Sequence, residues 1–352
     1  MSATPRTPLA ASVLVVVVTA ILSIVFSLLH FPSAVLFASL LGGMTHALTS
    51  PTRLAVPPIA FRIGQGLLGV TIGSLVSFSS LVSMGSTMLP ILVITVGTIS
   101  VSLLAGRLLG LRSDVSPVTG SFAMIAGGAS GVVATAHDFG ADDRVVAVVQ
   151  YLRVLVVLVT MPVVTALVFQ PERGSVRLTY GGGGSLAAQL GFVAVSLVVG
   201  LGVARVLPSS TTTLLAPLSV AVGLGATGWF GQVSVPVVLQ WSAYALIGVQ
   251  VGLRFTRASL ISIVRMLPAV VGLILGMVAV SAGMGACLAW VTPVDGLTAY
   301  LATTPGGLWA VLATAADSGS DVTYVMALQL LRLVLILLLV PVIARYLGRG
   351  SR

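Results

Sequence analysis

The chain has 352 residues, of which 57% are hydrophobic and only 7% charged, with a mean hydropathy of +1.15. Apolar runs long enough to cross a roughly 30 Å hydrocarbon core recur along its length, which makes it a polytopic membrane protein whose first partner is the lipid bilayer. The net charge of +9 comes from 17 arginines and no lysine, spread singly or in pairs through short loops. With no basic run and no soluble domain, they serve membrane orientation and offer no surface for direct nucleic-acid binding.

The hydropathy pattern predicts twelve helical segments, near residues 9 to 30, 31 to 49, 56 to 78, 86 to 110, 117 to 138, 145 to 169, 186 to 207, 212 to 231, 235 to 257, 264 to 291, 296 to 317 and 322 to 347. The first follows Arg6, is too long for a signal-peptide core and lacks a small-residue cleavage site, so it reads as a retained helix. Between the sixth and seventh lies Pro-Glu-Arg-Gly-Ser-Val-Arg-Leu-Thr-Tyr-Gly-Gly-Gly-Gly-Ser, whose charges and four glycines stop a helix. The expected organisation is therefore a first membrane repeat over 1–170, a glycine-rich linker over 171–185 and a second repeat over 186–352.

That division is supported by an internal match. Residues 126–162 align without a gap to residues 305–341 at an offset of 179, and fifteen of the 37 positions are identical. The shared polar set is Asp138/Asp317, Asp142/Asp321, Gln150/Gln329 and Arg153/Arg332, with Gly127/Gly306 and Gly128/Gly307. Duplicated halves with matching polar elements are the sequence form of many secondary transporters, whose sites lie where the halves meet.

Segments five and eleven are set apart by Gly127, Gly128, Ser130 and Gly131 in one and by Thr303, Thr304, Pro305, Gly306 and Gly307 in the other. Glycine costs a helix about 1 kcal/mol relative to alanine and proline about 3, so backbone leaves helical geometry there. Arginine counting bears on whether these segments cross. Twelve full crossings with the amino terminus inside place nine loop arginines inside and five outside, whereas two re-entrant segments place twelve inside and two outside. The second arrangement fits the positive-inside rule better. It gives an all-α fold of two inverted repeats, about ten transmembrane helices plus two glycine-broken or re-entrant segments, with both termini cytoplasmic in a bacterial inner membrane.

Irregular backbone at depth persists only where protein or a water-filled cavity satisfies it. Ser130, Thr135, Thr303 and Thr304 can supply hydroxyls there, and helix-start amides favour an anion; the competing reading is close helix packing through small residues. Asp142 and Asp321 follow a glycine turn and read as helix caps. Asp138 and Asp317 are candidates for a coupling cation or proton, or for interfacial turns. Gln150 with Arg153, and Gln329 with Arg332, share a helix face at a spacing of three. An arginine deep in an apolar helix costs about 2.5–3.5 kcal/mol, which favours a buried pair with the aspartates of the same half, or a substrate carboxylate, over snorkelling. Arg62, near Gln65, has Trp241 at the matching position and could mark asymmetry in the site.

The doubled pattern that appears as Gly306, Gly307, Gly319, Asp321, Gln329, Arg332 and Pro341 resembles the duplicated membrane proteins called the AbrB family, over nearly the whole chain. The resemblance implies a fold similar to the cation/proton antiporter and anion transporter superfamily. Family members carry labels of gene-expression regulator or, loosely, ammonia monooxygenase. One departure is Ala126 where the second half has Pro305. Because no DNA-binding element appears outside the apolar segments, any regulatory effect is expected to be indirect. With one cysteine, Cys287, and scattered His30, His46 and His137, neither a disulfide nor a metal cluster is expected. The expectation is a non-enzymatic protein without cofactor, a secondary transporter of a small organic anion. A membrane-embedded sensor and a cation/proton antiporter are the alternatives, and a homodimer is possible by analogy.

Overall fold

The computed structural model describes residues 8–29, 33–50, 52, 54–76, 84–112, 115–125, 140–170, 185–206, 212–231, 234–254 and 266–349. Among these residues the fold is all-helical, in thirteen α-helices. They are α1 (Pro8–Leu28), α2 (Ala34–Thr49), α3 (Pro58–Leu75), α4 (Met88–Leu109), α5 (Pro117–Met124), α6 (Asp143–Val164), α7 (Leu186–Val206), α8 (Thr212–Thr227), α9 (Val237–Gly252), α10 (Leu267–Val291), α11 (Gly296–Thr303), α12 (Leu308–Ser318) and α13 (Val322–Arg349). The glycine-rich linker at 171–184 lies outside the described residues, as do Arg6, Arg53, Arg173, Arg177, Arg257 and Arg265 of the orientation argument.

Among the described residues, five helices are long and apolar enough to span a bilayer, at Ala11–Leu28, Met88–Leu109, Arg144–Phe169, Leu186–Val206 and Leu267–Val291, and four shorter helices are also apolar. Their outward side chains are Val, Leu and Ile, such as Val16, Ile24, Leu89 and Val198, all exposed. In water such faces would aggregate; in lipid they are the solvated surface. Trp229 and Trp290 stand exposed near the ends of α8 and α10, where amphipathic rings suit the headgroup layer. This is a multi-pass membrane protein.

The contacts gather into two compact units, and each draws on early and late parts of the chain. These units are thus a different division from the two sequence halves. The first holds α1 to α3, α7 to α9 and residues 312–322. Its helices meet through glycine. A Cβ placed on Gly69 or Gly73 of α3 would run into the carbonyls of Leu214 and Leu218 on α8, and one on Gly248 or Gly252 of α9 would run into those of Leu36 and Leu40 on α2. Without a hydrophobic drive between helices in lipid, such backbone contact is what holds them together.

The second unit holds α4 to α6, α10, α11, the first turn of α12 and α13 from Thr323 onward. The short helix α5 packs between α4 and α6, with Phe122 and Met124 fully buried beside Val146 and Val149. Gly106 of α4 lets Ser121 come close, and Gly285 of α10 does the same for Tyr300 of α11. Ser116 caps α5 by accepting from the Thr119 amide at 3.1 Å, and Asp295 caps α11 by accepting from that of Thr298 at 2.9 Å. At its far end α6 loosens into a π-helical turn over Thr165–Phe169, three residues after the internal Pro162.

Gly69→Ala and Gly248→Ala should each destabilise the protein by about 1–3 kcal/mol through overpacking, read as a lower thermal midpoint in detergent. Gly223, exposed with open space around it, should tolerate alanine without loss.

Candidate functional site

The break between α11 and α12 has a local cause. Pro305 disfavours helical geometry in the residue before it, and Thr304 accordingly turns extended at φ −56°, ψ 128°. Gly306 and Gly307 then take φ of +125° and +71°, conformations open to glycine and hostile to other residues. The helix restarts at Leu308. Helix α5 ends in the same way, with Ile125 at φ −59°, ψ 120°. Of the proposed site residues in the segment that follows, Gly127, Gly128, Ser130, Gly131, Thr135 and Asp138 lie outside the described residues.

A helix that ends buried away from water leaves its last carbonyls without partners. Here they are met by the repeated glutamine and arginine. Gln329 Nε2 donates to the carbonyls of Leu301, Ala302 and Thr304 at 3.0, 3.3 and 3.2 Å, and Arg332 Nη1 donates to that of Thr304 at 2.8 Å. Arg332 Nη2 in turn donates to Gln329 Oε1. At α5, Gln150 Nε2 donates to the Phe122 carbonyl at 2.9 Å, and Arg153 Nη1 to those of Met124 and Ile125 at 3.1 and 2.7 Å. A cation at a helix C-terminus also complements the dipole.

Among the described residues the partners of these arginines are thus carbonyls and a glutamine rather than aspartates, and Asp138, an expected partner of Arg153, lies outside those residues. Arg153 and Arg332 are only 2% and 6% exposed, and neither meets a carboxylate among the described residues. Asp142 instead accepts from the Arg144 and Val145 amides and caps α6, while Asp321 lies exposed just before α13. Carbonyls solvate a guanidinium but leave its charge uncancelled.

Arg153 retains an unused edge. Its Nε is buried without a partner, as is Gln150 Oε1. That edge faces Gly306, where a Cβ would stand 3.3 Å from Nε and 3.8 Å from Nη2. The Nε and Nη2 pair is the side of a guanidinium that holds a carboxylate in two parallel hydrogen bonds. Beyond it, the first-turn amides of α12 have no intrahelical acceptor and carry the positive end of its dipole. Arg332 lines a narrow crevice with Thr95, Thr98 and Thr303.

The other proposed residues fall elsewhere. Arg62 is exposed on α3, while Gln65 is buried and accepts from Thr213 Oγ1 at 2.7 Å. Asp317 sits in the first unit, with Ser33, Gln240 and Tyr244 around it. These three escaped the sequence reading, although Gln240 and Tyr244, four apart in an apolar helix, form the kind of polar stripe that signals a site.

The family model described as "Transition state regulatory protein AbrB" matches residues 35–348. The chain belongs to the AbrB family. A protein of Escherichia coli (strain K12) printed as "Putative regulator AbrB" is 34% identical over 332 residues, covering 94% of this chain and 95% of the relative. A second, "Uncharacterized protein YhjN" of Bacillus subtilis (strain 168), is 24% identical over 306 residues, covering 81% and 78%. In this AbrB-family protein the repeated glutamine and arginine are the caps of short buried helices.

Two substitutions separate these roles. Gln329→Leu should take the side-chain donor from the Leu301 and Ala302 carbonyls, while Thr304 keeps Arg332 and the Gly306 amide, and cost about 1–3 kcal/mol for each group left unsatisfied, visible as a lower thermal midpoint. Gly306→Ala should cost about 1–3 kcal/mol in backbone strain while leaving the α11 cap in place.

Proposed function

We propose that this AbrB-family protein is a secondary transporter of a small organic anion, working by alternating access. The observation that carries the reading is the unpartnered Nε of Arg153, buried against Gly306. A buried cation with no acidic partner among the described residues faces the glycine break that immediately precedes the start of α12. Buried charge demands compensation, and a carboxylate on that edge supplies it with matching geometry.

The architecture we infer is a duplication. In its support, the starts of α3, α4, α5 and α6, at residues 58, 88, 117 and 143, recur 179 residues later at 237, 267, 296 and 322. The capping bonds recur with the same offset, Gln150 to Phe122 answering Gln329 to Leu301. Packing is reciprocal too, since α3 meets α8 through Gly69 and Gly73 where α9 meets α2 through Gly248 and Gly252. Repeats that exchange partners this way imply a pseudo-two-fold relation, as in transporters built from inverted halves.

The name of the Escherichia coli relative favours a second reading, a regulator of gene expression. In the absence of a DNA-binding element outside the apolar segments, regulation would follow from moving or sensing a metabolite. Flux separates the two. In proteoliposomes with a panel of labelled small carboxylates, the transporter reading expects saturable uptake of one class. Arg153→Ala should weaken binding roughly 10- to 100-fold, the worth of a charge-assisted hydrogen bond of about 1.5–3 kcal/mol. A folded protein that takes up no carboxylate and gains no stability from any would sink this reading in favour of the sensor.

A further inference from the structure

We infer that Asp317 is a proton-binding site, built so that the carboxyl group is fully hydrogen-bonded whether charged or neutral. Its Oδ2 accepts from Ser33 Oγ at 2.9 Å, and its Oδ1 from Gln240 Nε2 and Tyr244 Oη, each at 3.2 Å. Gln240 Nε2 also donates to Tyr244 Oη at 2.9 Å, closing a ring of three groups on α9 and α12. The partners lie 284, 77 and 73 residues away in sequence, so the cluster is a product of tertiary packing and not a local turn. Ser33 is held toward the acid by a left-handed backbone at φ 52°, ψ 40°, outside the first turn of α2.

The chemistry of these partners decides the ligand. A carboxylate kept charged for structure is normally paired with a cation, which locks it in one state. Here Tyr244 and Ser33 are almost fully buried and neutral. Hydroxyls rotate and can donate or accept. When Asp317 is ionised, the two hydroxyls and the Gln240 amide donate to it. When it takes a proton from water, its new O–H can donate to Ser33 Oγ or Tyr244 Oη, whose hydrogens turn away. The carboxyl group itself keeps hydrogen-bond partners in both states, and the cost of a half-buried charge is removed by the proton itself. A metal ion fits less well, because the groups nearest Oδ1 present N–H and O–H.

The groups facing Asp317 are few. From α9 come the titratable Tyr244 and the neutral Gln240, and from the turn before α2 the neutral Ser33. On its own side of the chain Asp321 is exposed beyond the end of α12. No arginine or histidine among the described residues faces it, and His30 lies outside those residues. Coupling this proton to uptake rests on the transport reading; binding the proton does not.

The test therefore has two arms. In detergent, infrared difference spectra of the full chain across a pH titration should show a protonated carboxyl band that disappears in Asp317→Asn. Tyr244→Phe should keep that band but move its midpoint. In proteoliposomes, an inward proton gradient should drive carboxylate accumulation in the wild type. Asp317→Asn, which keeps the shape and most of the hydrogen bonds, should lose accumulation while retaining exchange of labelled for unlabelled anion. Absence of the band, or accumulation unchanged in a folded Asp317→Asn, would overturn the proposal. So would stabilisation by Na+ at fixed pH that the variant abolishes, which would hand the site to a metal ion. A titrating band with no carboxylate uptake in the wild type would leave the proton site standing and reject the transport reading instead.

Discussion

Hydrocarbon offers the backbone no hydrogen bonds, and the arrangement of the second unit follows from that single fact. Helices α5 and α11 stop far short of a bilayer's width at eight residues each, so carbonyls that water would normally solvate must find donors in the protein. The glutamine and arginine on α6 and α13 provide them. Only arginine can do this and more. Its planar group spends Nη1 on the carbonyls and keeps a separate edge for another acceptor, whereas lysine would offer one rotating point of charge.

A second regularity concerns how the charges are kept. Arg153 and Arg332 are solvated by carbonyls and Asp317 by hydroxyls and an amide, so each of these three charges is stabilised by neutral groups. Salt bridges would have been a simpler way to bury them. Neutral solvation leaves these three charges uncancelled, so each can change partner or protonation state without breaking an ion pair, as the proposed transport would require.

Much of this was legible in the chain, and the limits are instructive. Thr304, Pro305, Gly306 and Gly307 announce the break because each acts through its own backbone, a local property. The glutamine and arginine announced their importance by recurring, but not their partners. An arginine in an apolar helix suggests an acid because acids are visible as letters, whereas the carbonyls of Met124, Ile125 and Thr304 belong to every residue alike. The compact units were hidden for a related reason, since the contact between α3 and α8 is made by the absence of side chains at Gly69 and Gly73. Asp317 was visible, but Ser33, Gln240 and Tyr244 reach it only through tertiary packing.

The glycine seams also constrain the order in which the molecule can be made. Helices α2 and α3 find their tightest neighbours in α9 and α8, at contacts such as Leu36 with Gly248 and Gly69 with Leu214 that lie roughly 210 and 145 residues apart along the chain. At about 5–20 residues per second, the ribosome needs roughly 7–42 s to deliver them. Throughout that interval the early helices sit in lipid with their small-residue faces uncovered, prone to pairing with whatever other helix drifts past. Newly inserted chains of this protein are thus vulnerable to mispairing until α8 and α9 have emerged, and a chaperone or insertase that shelters those faces would act on the nascent chain and not on the finished one.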